Sequence, residues 1–143
     1  RHDADLRVSD ALNGEKIECG TLYIGAGNET IELSGARLET QESNTHEARL
    51  SRIDDLFTSI ASSAGENAIG VILSGMLWDG VDGLNSIAEA GGRCLVQSPA
   101  EAEFSSMPVE ALNKVSVDFV GDALEIADRI VEFARERRCI SVD

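Results

Sequence analysis

Apolar positions in the middle of the chain fall into two regular patterns. Ile53, Leu56, Phe57, Ile60, Ala61 and Ala64 recur at the spacing of one helical face, which predicts an amphipathic helix ended by Gly65. Ile69 to Leu73 is almost wholly aliphatic with no polar alternation, the pattern of a parallel strand covered on both faces. A loop punctuated by Gly75, Gly80 and Gly83 and carrying Asp79 and Asp82 follows. Leu84, Ile87, Ala88 and Ala90 then predict a short helix stopped by Gly91-Gly92. Arg93 to Gln97 reads as a strand and Ser98 to Pro108 as a loop broken by its prolines. Val109 to Lys114 reads as a turn or two of helix, and Val115 to Val120 alternates as a strand. Leu124, Ala127, Ile130, Val131 and Ala134 stripe a last helix, whose C-terminal turn carries Arg135, Arg137 and Arg138, as its dipole favours.

The first third of the chain is patterned differently. Leu6-Arg7-Val8 suggests a short strand, Asn13-Gly14 a turn, and Thr21 to Ile24 a strand ending at Gly25-Ala26-Gly27-Asn28. Thr30 to Leu33 and Ala36 to Glu39 flank Ser34-Gly35 as the arms of a hairpin. Gln41 to Arg52 is polar and reads as an exposed connection. Strands alternating with helices predict an α/β fold, with a mainly parallel sheet flanked by helices in three layers and an antiparallel hairpin at one edge. At 143 residues one domain is expected.

Composition narrows the partners. Twelve basic against 26 acidic residues give a formal charge of −14, which repels nucleic acid and anionic membrane surfaces. No apolar run reaches the roughly 20 residues that span a bilayer, so no membrane insertion is expected. Three cysteines at wide spacings, Cys19, Cys94 and Cys139, read as small packing residues in a reducing compartment, which predicts a cytoplasmic location. The chain begins with Arg1 rather than Met, so residues are expected to precede it in the gene product.

Asp79 is the first functional candidate, because a carboxylate just past the C-terminal end of a parallel strand lies where open α/β sheets bind ligands. The competing reading is a turn or helix-capping acid. Asp82 reads as a cap for the helix that Leu84 opens. A divalent ion between Asp79 and Asp82 lacks any phosphate-cradling loop to complete it. Gly25-Ala26-Gly27 is a poor dinucleotide loop, since Thr30 stands where a third glycine is needed and no helical stripe follows. His2 and His46 have no ligand neighbours at useful spacing, so neither a metal nor a cofactor is expected. Ser74 lacks the glycine-framed elbow of a nucleophile. The Met76 backbone N–H lies where a loop donates to an oxyanion; alternatively Met76 packs under the loop.

These residues carry a family resemblance. Ser74-Gly75-Met76-Leu77-Trp78-Asp79-Gly80-Val81-Asp82-Gly83 resembles the Thr-Gly-Met-Gly-x-Asp-Gly-Ala-x-Gly signature of the CheB family of chemotaxis protein-glutamate methylesterases. Ile53-Asp54-Asp55-Leu56-Phe57-Thr58-Ser59 is similar to that family's Val-Asp-x-Leu-Phe-x-Ser helix. Gly91-Gly92 through Val96-Gln97, then Met107-Pro108 and Ala111, resembles its Gly-Gly, Ala-Gln and Gly-Met-Pro run. Gly20 to Ile24 resembles the approach to its Ile-Ala-Pro-Gly.

The resemblance implies an esterase acting on methylated glutamates of a chemoreceptor cytoplasmic segment, with glutamine deamidation as a second activity and a receiver domain upstream. It assigns Asp79 to a Ser-His-Asp triad and Met76 to the oxyanion donor. The family's serine and histidine belong to strand-helix units preceding the stretch matched by Arg1 to Val8, so residues 1–143 correspond to the larger C-terminal part of such a domain, expected to be silent alone. A sheet missing its early strands would expose an apolar edge, which predicts self-association. Leu77 stands where the family has glycine, Thr30 where it has histidine, Ser98 for aspartate and Ser106 for glycine. These departures motivate a second reading, a non-catalytic relative that binds a signalling partner or receptor segment. A third is a hydrolase of small esters.

Overall fold

Three parallel strands carry the main sheet, with β6 (Arg93–Gln97) between β5 (Ile69–Ile72) and β7 (Phe119–Gly121). The computed structural model describes residues 6–43, 45–75 and 79–136. Helices α3 (Val81–Glu89) and α4 (Ser106–Lys114) connect the strands, and α5 (Ala123–Glu136) follows the last. Successive residues of β6 face opposite ways. Cys94 turns toward α3, its Sγ donating to the Leu84 carbonyl at 3.4 Å. Arg93 turns toward α5, with its guanidinium 4.8 Å from the centre of the Phe133 ring. Helices therefore cover both faces, as expected of three layers.

The fully covered strand is β6, whose Cys94, Leu95 and Val96 are all buried. For β5 the expectation is met on one face only. Ile72 is buried, but Ile69 and Val71 are half-exposed. The cause is its place at the edge of the described sheet, with α5 reaching across β6 and β7. Likewise the strand expected over Val115 to Val120 shortens to β7. Val115 and Val117 instead pack into the core from the connection after α4, so their alternation reports burial without a ladder. Helix α4 starts earlier than expected because Pro108 sits in its first turn, where a missing N–H costs nothing.

Helix α2 (Arg52–Ala64) presents the predicted stripe to α3 and to β3 (Glu29–Ser34). Gly65, at φ 56°, ends it. Strands β3 and β4 (Arg37–Glu42) form the expected hairpin, but its two-residue loop is Gly35-Ala36, one position later than predicted, which sets Leu33 opposite Leu38 rather than Ala36. Gly35 has φ 59°, and a glycine opening a two-residue loop suits the twist of the arms. Two α2 hydroxyls hold the hairpin: Ser59 Oγ accepts from Leu33 N and Ser63 Oγ donates to Leu33 O, both at 2.8 Å. Strands β1 (Arg7–Asp10) and β2 (Thr21–Ile24) pair in parallel as a separate ribbon. The stretch read as a plain connection contains the end of β4 and a short helix, α1 (His46–Leu50), capped by the Thr45 hydroxyl.

Two further expectations change. In α5 the buried residue is Ile126, with Ile130 and Phe133 half-buried, whereas Leu124 is 80% exposed and Val131 46%. Among the described cysteines Cys94 fits the core reading, whereas Cys19 is exposed and disulfide-bonded, so the reading of a wholly reduced set does not hold for it. No helix among the described residues is long and apolar enough to cross a membrane.

Candidate functional site

Helices α2 and α3 begin side by side; α2 is capped by an acid from the turn before α3, and α3 by an acid in the first turn of α2. Ser51 precedes α2 but makes no side-chain cap; its hydroxyl is bonded to Glu47 O and Asp55 Oδ2. The cap comes from Asp79, whose Oδ2 accepts from Ile53 N at 2.9 Å and whose Oδ1 accepts from Asp54 N at 2.8 Å. Helix α3 is preceded by Gly80, at φ 111° and with no side chain to offer. Its cap comes from Asp54, whose Oδ1 accepts from Gly80 N and Gly83 N, both at 2.8 Å. Four orphan N–H groups are thus satisfied by two carboxylates at the positive ends of two helix dipoles.

Asp79 opens onto a cavity of about 490 Å³ between the β2–β3 loop, the start of α2 and the end of β5. Gly25, Ala26 and Gly27 form one wall, Ile31, Ile53, Leu56 and Met107 supply apolar surface, and Arg52 and Glu29 add one charge of each sign. Arg52 donates through Nη1 to the Gly27 carbonyl, tying the loop to α2. Burial raises the Asp79 pKa above the ordinary carboxylate value, the Ile53 and Asp54 N–H groups oppose this, and the charges of Asp54 and Asp55 push it further up. Each carboxylate oxygen spends one lone pair on the backbone, which leaves acceptor capacity for a donor in the cavity.

The cavity floor is tied to α4. Gly75 N donates to Phe104 O at 2.9 Å and Met107 N donates to Gly75 O at 3.1 Å. Ser74 is part of the same clip, its hydroxyl accepting from Phe104 N at 2.9 Å. That bond gives it a structural occupation.

Of the residues singled out in the sequence, Asp79 and the Gly25-Ala26-Gly27 loop come together at the cavity. Met76 and Leu77 lie outside the described residues, as do His2 and Cys139. Thr30 points away from the cavity, its hydroxyl donating to Gln41 O at 3.2 Å on the hairpin. Neither Ser98 nor Ser106 lines the cavity. Asp82 is exposed in the first turn of α3. Among the described residues no three His, Cys, Asp or Glu side chains gather into a set able to hold a metal ion. The sequence reading missed Asp54 and Arg52. The signal for Asp54 was available, since an acid in the first turn of a helix is placed to bond nearby N–H groups.

The family described as CheB methylesterase matches residues 1–130. The chain is 36% identical over 132 residues to a protein-glutamate methylesterase/protein-glutamine glutaminase of Photorhabdus laumondii, covering 90% of this chain and 38% of that protein. It is 37% identical over 131 residues to the Bordetella pertussis protein of the same name, covering 88% of this chain and 37% of that one. The chain thus spans well under half the length of these relatives. In structure it is similar to the Thermotoga maritima CheB methylesterase catalytic domain, with a TM-score of 0.75 at 23% identity, covering 86% of this chain and 67% of that one.

Proposed function

The chain belongs to the CheB methylesterase family, and from that premise we propose that it forms the larger C-terminal part of a protein-glutamate methylesterase domain and supplies the aspartate of its Ser-His-Asp triad. The observation that carries this reading is Asp79 itself, set past the end of β5, held by two backbone N–H groups and open to a cavity. A carboxylate fixed in this way orients an imidazole by accepting its Nδ1–H, and stabilises the imidazolium that forms when the other nitrogen takes a proton. The serine and histidine are contributed by the units that precede the matched stretch in the family.

In the proposed reaction the serine oxygen attacks the glutamyl ester carbonyl while histidine takes its proton. Histidine returns that proton to the departing methoxide, and methanol leaves. Water, deprotonated by the same histidine, then cleaves the acyl-serine bond to give the glutamate carboxylate and the free serine. An amide in place of the ester would release ammonia, the deamidase reaction in the names of the relatives. The Met76 N–H is proposed as an oxyanion donor. The substrate is inferred to be a methylated chemoreceptor segment in the cytoplasm, with a receiver domain upstream as the regulatory partner.

One observation favours the second reading, a non-catalytic relative that binds a receptor segment or signalling partner: capping α2 already accounts for Asp79 without any chemistry. The test is Asp79→Asn in the complete protein, assayed on methylated receptor and on small synthetic esters. A loss of kcat approaching 10⁴-fold on the receptor is expected. Unchanged turnover would remove Asp79 from the triad, and no turnover before mutation would favour the binding reading. Equal turnover of both substrates would favour a small-ester hydrolase.

A further inference from the structure

Asp54 stands in an unusual relation to Asp79. It lies in the first turn of α2, yet its Oδ1 bonds outward to Gly80 N and Gly83 N, the residue after Asp79 and the third residue of α3. Its own N–H is held by Asp79 Oδ1 at 2.8 Å. The segment bearing Asp79 is therefore fixed from both sides by one residue: its carboxylate by the Asp54 N–H, the following backbone by the Asp54 carboxylate. Helix capping alone needs no such reciprocity, because an Asn or Ser at position 80 would cap α3 locally. Instead Gly80 takes φ 111°, a conformation costly for other residues. A Cβ there would also meet Ile53 Cγ2 at 2.9 Å.

From this geometry, and resting on the triad reading of Asp79, we propose that Asp54 is a positioning residue of the esterase reaction: it aims the Asp79 carboxylate into the cavity and adds a second negative charge behind it. The positioning part follows from the four N–H bonds the two carboxylates accept. The charge part follows from proximity. A histidine held by Asp79 feels both charges, and its protonated form is stabilised by both. The other charged groups facing Asp79 are Asp55 on α2, and Arg52 and Glu29 across the cavity. Arg52 and Glu29 oppose each other in sign, and Asp55 is exposed with its Oδ2 already bonded to the Ser51 hydroxyl.

Two variants of the complete protein separate the parts. Asp54→Asn keeps an oxygen for Gly80 N and Gly83 N and loses only the charge. Asp54→Ala leaves both N–H groups without their acceptor. In Asp54→Asn the acid limb of the kcat/KM profile on methylated receptor should move to lower pH, because the histidine loses stabilisation of its charged form. The Asp79 carboxyl, followed by carbon NMR with Asp79→Asn to assign it, should also titrate lower. In Asp54→Ala kcat should fall at least about tenfold with little change in KM, and by more than in Asp54→Asn. A purely structural role would lower the stability of both variants and move neither the pH profile nor the Asp79 titration.

The proposal is overturned if Asp54→Asn leaves both pH readouts at wild-type values, or if folded Asp54→Ala keeps wild-type kcat. Should Asp54→Ala not fold, Asp54→Asn decides alone. Should the complete protein show no esterase activity, the proposal fails together with the triad reading. Loss of activity in Asp79→Asn with a wild-type Asp54→Asn would sink this inference and leave the triad standing.

Discussion

Met107 lies directly over Gly75: a Cβ built on Gly75 would sit 2.5 Å from Met107 Cε and 3.6 Å from its Cβ. The Met107 N–H meanwhile donates to the Gly75 carbonyl. The cavity floor and the start of α4 are thus in contact through a residue with no side chain. The close atom is the end of a flexible thioether, which can move aside. Gly75→Ala should therefore cost only about 1 kcal/mol, read by urea denaturation. In a double-mutant cycle with Met107→Ala the two changes should be less than additive, since the shorter side chain removes the collision. Full additivity would mean that the contact is not the cause.

Gly83 sets a harder limit. It lies inside α3, where replacing glycine by alanine ordinarily gains up to about 1 kcal/mol. Here the added Cβ would stand 2.6 Å from Phe57 Cβ, 2.9 Å from Asp54 Cα and 3.0 Å from Asp54 O. Two of those atoms are backbone, so α2 and α3 would have to separate at the crossed caps. Gly83→Ala should destabilise the fold by about 2 kcal/mol or more. A stabilised variant in the same denaturation assay would show that the helices can part freely.

Helix α5 shows where the pattern of apolar positions misleads. Leu124, Ala127, Ile130, Val131 and Ala134 make a regular stripe, but Ile126, Ile130 and Phe133 make another, and the second faces the sheet. Both have helical spacing, so periodicity alone could not choose between them. The register of α5 on β6 and β7 decided, through contacts such as Arg93 over Phe133. Ile126→Ala should accordingly cost about 2–4 kcal/mol, and Leu124→Ser should stay within about 0.5 kcal/mol. Comparable losses in chemical denaturation would mean that the Leu124 face is covered in solution.

The helix α2, the strand β6 and the position of Asp79 were legible because each rests on local pattern: one apolar face, one aliphatic run, one acid after a strand. The crossed capping was not, since it joins residues 25 or more positions apart that no short-range spacing relates. The hairpin turn lay between these cases. Ser34-Gly35 and Gly35-Ala36 both contain the required glycine, and the pairing of Ser34 with Arg37 chose the second. Asp54 lies within the helix motif of α2, but local pattern gives it no role because its partners are backbone groups of another element.

Cys94 gives a prediction whose sign can be worked out directly. Burial, and then the neighbouring Asp118 carboxylate, push its thiol up from 9.0 to about 11. Asp118 is close because its Oδ2 accepts from Cys94 N at 2.8 Å. At pH 8 only about one Cys94 in a thousand is then a thiolate, the form that reacts. Iodoacetamide should leave the Cys94 peptide unmodified in the native protein and label it readily in denaturant. For stability, the folded state keeps the Cys94 proton after the unfolded state has released it. The unfolded state therefore binds fewer protons between the two values, and stability falls as pH rises through this window. Cys94→Ala should abolish that part of the alkaline slope, leaving only what other groups contribute. Identical slopes for the two proteins from pH 8 to pH 11, measured by denaturant titration, would mean that the thiol titrates freely in the folded state.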